Sequence, residues 1–416
     1  MQIFKFGGAS VKDAEGVKNL LSVLLQVGYK NTLIVVSAMG KTTNALEAVI
    51  KNYLDNTAAL QSALQEVKKF HNAILLDLFE DEHAPVFKKV NTLFDDLNTF
   101  MRMNKSPDYN FVYDQVVGFG ELISTTIVSE YLNAKGLKNN WIDVRTQIKT
   151  DNYYRNARVN WKDTQTLITN SLDTSVLNIT QGFLGSDTNN FTTTLGREGS
   201  DYTAAIYAYC LNAKSVTIWK DVSGVLNADP RYFEQAQLLN NISYSEAIEL
   251  AFYGASIIHP KTIQPLQRKE IPLYVKSFIN PKSDGSQIGK NVTLSPMIPC
   301  FIVKKNQVLI SLSSLDFSYI VEDNISEIFG LLHTYKMKVD VIQNSAISFS
   351  VCVDNVYNNL DKLIHHLKAK FKVSCHENVS LYTIRHYTEN TINQLELGKT
   401  ILLKQLTQDT VQLVTK

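Results

Sequence analysis

The sequence predicts an α/β protein: a mainly parallel sheet covered by helices, followed by a smaller α+β region. Three observations carry that expectation. First, a short strand at 2–6 turns through Gly7-Gly8 into an amphipathic helix and returns as a strand at 32–36. Such a β-turn-α-β unit implies parallel pairing. Second, a similar glycine turn recurs in the run Thr194-Leu195-Gly196-Arg197-Glu198-Gly199-Ser200-Asp201-Tyr202-Thr203-Ala204. Third, beyond a Pro- and Gly-rich stretch at 280–299 the order becomes β-α-β-β-α-β, that of a ferredoxin-like module.

Taken in order, Ser10 and Asp13 read as a capping-box-like helix start. The helix places Val17, Leu20, Leu21, Leu24 and Leu25 on one face, and Gly28 ends it. Residues from about 44 to 103 read as a helical insertion or lid. Strands are expected at 141–144, 176–180 and 215–219, and a helix from about 203 to 212. Past the linker, strands are expected at 307–312, 338–343, 346–353, 379–385 and 411–414. Helices are expected at 325–335, 359–371 and 392–406.

A chain of 416 residues can bury two or more cores. Its 44% hydrophobic and 19% charged content is that of a globular protein, and a net charge of +1 offers no reason to expect nucleic acid or an anionic membrane as partner. No basic, then apolar, leader opens the sequence, and runs such as Leu33-Ile34-Val35-Val36 have only strand length. The four cysteines (Cys210, Cys300, Cys352, Cys375) form no C-x-x-C pair. A reducing, cytoplasmic setting is therefore the expectation.

Glycine turns between a strand and a helix aim backbone N–H groups at anions. In the first turn, Gly7 and Gly8 could cradle a transferring phosphate while Lys5 neutralises its charge. In the second, Arg197 offers a planar fork for a carboxylate, and Ser200 and Asp201 open a helix. The run Ser37-Ala38-Met39-Gly40-Lys41-Thr42-Thr43 tempts a P-loop reading, but Val35 stands where the signature needs its first glycine. Gly118-Phe119-Gly120 lacks the third glycine of a dinucleotide fingerprint. Glu121 is read as an acid opening a helix, able to bind an ammonium. The loop from Lys220 to Arg231 follows a strand, where open α/β sheets bind ligands.

These runs, in this order, resemble the aspartokinases of the amino-acid kinase superfamily. The matching pieces are Lys5 to Val11, Gly120 to Ser124, Gln181-Gly182-Phe183, Thr194 to Ala205 and Ile218 to Arg231. Phe252 to Ala255 with His259-Pro260, and Ile271 to Pro281, complete the set. The resemblance implies a three-layer amino-acid-kinase fold over 1–290 and an ACT-like regulatory region over 291–416. It further implies one ACT unit, about 307–378, inserted in a second made of 299–306 and 379–416. That second unit would lack a strand, a helix and a final strand.

The implied reaction is phosphoryl transfer from MgATP to the side-chain carboxylate of L-aspartate, the first step of lysine, threonine and methionine biosynthesis. Lys5, Gly7, Gly8 and Asp201 would be catalytic, and Thr43, Glu121, Arg197 and Ser200 would bind aspartate. Lys220, Asp221, Leu226, Arg231 and Ser256 would face ATP, and Mg²⁺ would be held by phosphates and water rather than by protein. Val339 and Asp340 mark an effector position for lysine or threonine, and a homodimer or homotetramer is implied. Ser256 stands where many relatives carry Lys, so Lys220 is expected to supply that charge. Glu198 replaces a glycine and is expected to point outward. The alternatives are a glutamate- or acetylglutamate-type kinase and a degenerate kinase acting as an amino-acid sensor.

Overall fold

The computed structural model describes all residues except 256, 257 and 317. The chain divides into two compact units. The first consists of Met1–Val225, Leu238–Ile248 and Ile257–Leu294; the second of Leu226–Gln237, Glu249–Ser256 and Ser295–Lys416.

The chain begins with β1 (Gln2–Phe6), α1 (Ala14–Val27) and β2 (Thr32–Val36). Three helices follow, α2 (Thr42–Leu54), α3 (Leu60–Leu78) and α4 (Pro85–Met103), then the long α5 (Tyr109–Ala134). Next come β3 (Asn139–Ile142), α6 (Trp161–Ser171), β4 (Leu177–Gln181) and a small hairpin, β5 (Leu184–Ser186) with β6 (Thr192–Thr194). The chain continues through α7 (Gly199–Leu211), β7 (Ser215–Lys220), β8 (Asn241–Ser243) and α8 (Tyr244–Tyr253), of which the part from Glu249 onward is assigned to the second unit. The first unit closes with α9 (Pro260–Arg268), β9 (Leu273–Ser277) and β10 (Ser286–Gly289).

Eight strands form one sheet in the order β3-β4-β2-β1-β7-β9-β10-β8. Every pair is parallel except β9 with β10. Lys5 lies in register with Val35 on one side and Ile218 on the other, so it occupies the middle of the sheet near its carboxyl edge. The turns after β1, β2, β4 and β7 consequently open on the same edge, where such sheets bind ligands.

Local packing corrects several expectations. Asp13 alone caps α1, accepting the Gly16 N–H at 2.8 Å, whereas Ser10 donates to the Trp219 carbonyl at 3.3 Å. Leu25 is 59% exposed and Val23 takes its place in the core, because the helical period carries position 25 off the buried stripe. Glu121 does not open a helix. It lies midway along α5, whose buried positions run around its whole circumference. Gly118 and Gly120 are interior helical glycines; a Cβ at Gly120 would come within 3.1 Å of Thr42 Cγ2 and 3.2 Å of Ala38 Cβ. They permit close packing rather than a turn.

Helices α2 to α4 share a core with the sheet and α5 through Leu46, Val49, Val67, Leu75, Phe94 and Leu97. His71 of α3 is fully buried there. Its ring meets the Val67 carbonyl at 2.8 Å and Thr42 Oγ1 at 3.3 Å. Burial lowers its pKa from 6.5 to about 4. Between those values the unfolded chain binds a proton that the folded chain refuses, so stability is lost as pH falls through that window. The stability difference between wild type and His71→Gln should therefore shift by about 3 kcal/mol against wild type from pH 7 to pH 4, read by urea unfolding.

The second unit contains β11 (Cys300–Ser314), α10 (Glu322–Thr334), β12 (Lys338–Asn344), β13 (Ser348–Asp354), α11 (Leu360–Leu367) and β14 (Phe371–Arg385). It ends with α12 (Glu389–Glu396), β15 (Ile401–Leu406) and β16 (Thr410–Thr415). Its strands form one antiparallel sheet, β12-β13-β11-β14-β16-β15. Strands β11 and β14 pair along their length, with irregularities between Lys304 and Leu309. The helix expected over 392–406 stops at Glu396: Gly398 adopts φ 71 and the Ile401-Leu402-Leu403 run joins the sheet instead. The helix expected to reach 371 likewise ends at Leu367, and Phe371 opens β14.

Candidate active site

A cavity of about 570 Å³ opens at the carboxyl edge of the central sheet, lined among others by Lys5, Gly8, Thr43, Glu121, Arg197, Ser200, Asp201 and Lys220. Residues drawn from five separate stretches of sequence thus share one space. Gly7 adjoins them: a Cβ there would lie 3.3 Å from the Lys5 ammonium.

The Gly7-Gly8 turn is fixed from both sides. A Cβ on Gly8 would fall 2.7 Å from the Ala38 carbonyl, and the Gly40 N–H donates to the Gly8 carbonyl at 3.0 Å. Gly40 itself adopts φ 54, which glycine tolerates best. Two turns, one after β1 and one after β2, therefore brace each other beside the cavity.

Lys5 and Asp201 form an ion pair at 2.6 Å, with their side chains only 11% and 5% exposed. A nearly buried pair of this kind sets the position of the ammonium strictly, because either partner alone would be a buried uncompensated charge. Asp201 lies in the first turn of α7, which starts at Gly199 rather than near 203. The α7 N-terminus, with Gly199, Ser200 and Asp201, faces the cavity and favours anions there. Gly182 makes this possible, since a Cβ on it would collide with Ser200 Oγ at 2.4 Å.

Glu121 supplies the opposite electrostatics. Burial pushes its carboxyl up to about 8, although it accepts the Ala38 amide. Its Oε2 is buried with no hydrogen-bond partner among the described residues. A cationic group entering the cavity would satisfy that oxygen and restore its charge.

Glu198 corrects a further expectation. It does not point outward: its carboxylate accepts the His259 N–H at 2.7 Å, and the residue lines the cavity. Its φ of 53 shows that the glycine-like conformation is retained without a glycine.

Other expected site residues lie elsewhere. Asp221 is exposed at the end of β7, while Leu226 and Arg231 belong to the second unit. Arg231 pairs with Asp229 at 2.6 Å on the surface. Ser256 lies outside the described residues. Val339 and Asp340 are on β12; Lys304 holds Asp340 at 2.8 Å with both side chains mostly buried, and Asp340 Oδ2 has no hydrogen-bond partner among the described residues.

Sequence reasoning missed Ser37, Ala38, Gly40, Tyr113, Arg155 and Phe183 as lining residues. The first three sit in a run that does not match a P-loop, although glycine after a strand is itself a signal. Tyr113 and Arg155 carried none, because their proximity arises only from the tertiary fold.

A catalytic unit with a parallel sheet, an anion-directed helix terminus and a buried ammonium defines a small-molecule phosphotransferase architecture. Residues 1–277 match the model of the amino acid kinase family, and the chain belongs to that family. It is 29% identical over 400 residues to the lysine-sensitive aspartokinase 3 of Escherichia coli, spanning 92% of this chain and 86% of that protein. Against the bifunctional chloroplastic aspartokinase/homoserine dehydrogenase 2 of Arabidopsis thaliana it is 29% identical but spans only 42% of the relative. The crystal structure of E. coli aspartokinase III with aspartate and ADP (R-state) superposes with a TM-score of 0.83 at 26% identity, covering 100% of this chain and 96% of that one. The complex of the same enzyme with lysine and aspartate (T-state) gives 0.82 at 27% identity, covering 100% and 95%.

Proposed function

We propose that this protein is an aspartate kinase, transferring the γ-phosphoryl of ATP to the side-chain carboxylate of L-aspartate. The observation that carries this reading is the cavity itself. It places a paired buried lysine, an anion-directed helix N-terminus with Arg197 and Ser200, and a buried carboxylate seeking a cation within one space. An acceptor with one ammonium and two carboxylates matches that set.

In this reading Arg197 and Ser200 hold the carboxylate that does not react, Glu121 takes the ammonium, and Thr43 adds a hydroxyl at the start of α2. The acceptor carboxylate is ionised at neutral pH and attacks the γ-phosphorus; the bond to the β-phosphate oxygen breaks and ADP leaves. No protein base is needed, so catalysis is positioning plus charge stabilisation. Lys5, with the Gly7 and Gly8 amides, meets the charge on the moving phosphoryl, and Asp201 keeps Lys5 in place. Lys220, which lines the cavity, and Asp221 beside it at the end of β7 serve the nucleotide.

Magnesium fits as an ion carried by the nucleotide. Asp201 is already committed to Lys5, and Glu121 sits within the protein wall. The ion would supply neutralisation of phosphate charge, held by phosphate oxygens and water.

The antiparallel second unit is proposed to be the regulatory ACT region, one βαββαβ module inserted in another at the irregularity of β11. Val339 and Asp340 are its proposed effector contacts; an incoming ammonium there competes with Lys304. The kinase reading is tested by incubating the protein with MgATP and single amino acids, and trapping acyl phosphate with hydroxylamine. Hydroxamate with aspartate alone is expected. Product with glutamate instead points to another acyl-phosphate kinase, and none at all to a non-catalytic sensor.

A further inference from the structure

We propose that Arg155 is a second cation of the acceptor pocket, closing on the carboxylate that is not phosphorylated and so selecting amino acids that carry it. This inference rests on the aspartate kinase reading. It concerns a residue outside every motif that supports that reading.

Four observations converge on it. Arg155 lines the same cavity as Arg197, Ser200 and Glu121. Its turn and the Arg197 turn hang from one buried carboxylate: Asp114 accepts the Arg155 N–H through both oxygens, at 3.1 and 3.0 Å. The same Asp114 also accepts the Thr194 N–H and hydroxyl at 2.8 Å each. The turns also touch, since a Cβ on Gly196 would lie 2.8 Å from Asn156 Oδ1 and 3.2 Å from the Arg155 carbonyl. Arg155 adopts φ 67, a conformation costly for a residue with a Cβ unless the surroundings impose it. Asp114 imposes it.

The guanidinium is weakly paired in charge while its backbone is held firmly. It stacks on the Tyr113 ring at 4.2 Å and lies 3.5 Å from the Glu47 carboxylate, with both charged side chains more than 40% exposed. An ion pair so exposed contributes little. A carboxylate inside the cavity, already facing Arg197, offers the fork a better-matched bidentate partner. Stacking on Tyr113 keeps the planar fork pre-oriented for it.

The test compares two acceptors that differ only at that carboxylate: L-aspartate and its α-amide, which keeps the reacting side chain and the ammonium. Binding of each to wild type, Arg155→Ala and Arg155→Lys is measured by calorimetry, with hydroxamate formation followed separately. Arg155→Ala should weaken L-aspartate at least tenfold and the α-amide less than twofold, and Arg155→Lys should recover part of the loss. A purely structural role would weaken both equally, because alanine keeps the N–H that Asp114 holds; equal losses, or none, overturn the proposal. If wild type binds L-aspartate without forming hydroxamate, the phosphoryl-transfer reading fails while the Arg155 comparison still decides its own case. If wild type binds neither acceptor, both fail.

Discussion

Replacing Lys5 by methionine is expected to lower turnover on the order of a thousandfold, because in the proposed reaction its ammonium is the preorganised charge that meets the moving phosphoryl. The same change removes one half of an ion pair whose partner, Asp201, is 5% exposed. Stability should therefore fall as well, by about 3 to 5 kcal/mol, the usual consequence of leaving a buried charge uncompensated. The two effects separate in the Lys5→Met/Asp201→Asn double variant, which buries no unpaired charge. Its unfolding midpoint should recover most of the way to wild type while turnover stays as low as in Lys5→Met alone. Asp201→Asn by itself should lose less turnover than Lys5→Met, because Lys5 remains but is no longer fixed. A hydroxamate assay and urea unfolding on the four proteins give all the terms of the cycle. A Lys5→Met variant within tenfold of wild-type turnover would remove Lys5 from the chemistry.

How much of this was legible before the fold was known depended on the range of the forces involved. Strand β2 and the end of α1 were readable because a parallel sheet strand is a continuous apolar run and Gly28 is a left-handed stop. The central residues Lys5, Arg197 and Asp201 were readable because glycine turns leave a local signature. Glu121 was found by type but misplaced in its element: glycines needed for close packing look, in sequence, like glycines needed for a turn. The end of α12 was missed because an apolar run after Gly398 continues either as helix or as strand, and only pairing with β16 decides. Arg155, Tyr113 and the Asp114 network were invisible, since their contacts join residues about 40 to 80 positions apart. Sequence reading therefore recovered the groups that local glycine turns bring to the cavity. It did not recover the groups that converge from distant segments.

Glu121 gives the second large effect, and here function and stability oppose each other. Its carboxyl ionises near 8 in the folded protein, against an ordinary 4.5, because burial disfavours the charge. The folded state therefore holds a proton that the unfolded state releases across that interval. Stability is fully present below 4.5 and is lost as pH rises toward 8, by about 4 to 5 kcal/mol in total. Glu121→Gln should accordingly be more stable than wild type at pH 8 by a margin that vanishes near pH 4.5. Binding runs the other way. An ammonium resting on Glu121 requires the ionised form, so below pH 8 each aspartate bound must expel a proton. Wild-type affinity for aspartate should rise roughly 50-fold from pH 6 to pH 8 as the ionised fraction grows. Glu121→Gln should bind weakly with a flat profile over the same range. Calorimetry in buffers of different ionisation enthalpy counts the released proton directly, approaching one per aspartate at pH 6. A proton count near zero there would detach Glu121 from the ammonium and leave its buried carboxyl as a structural group alone.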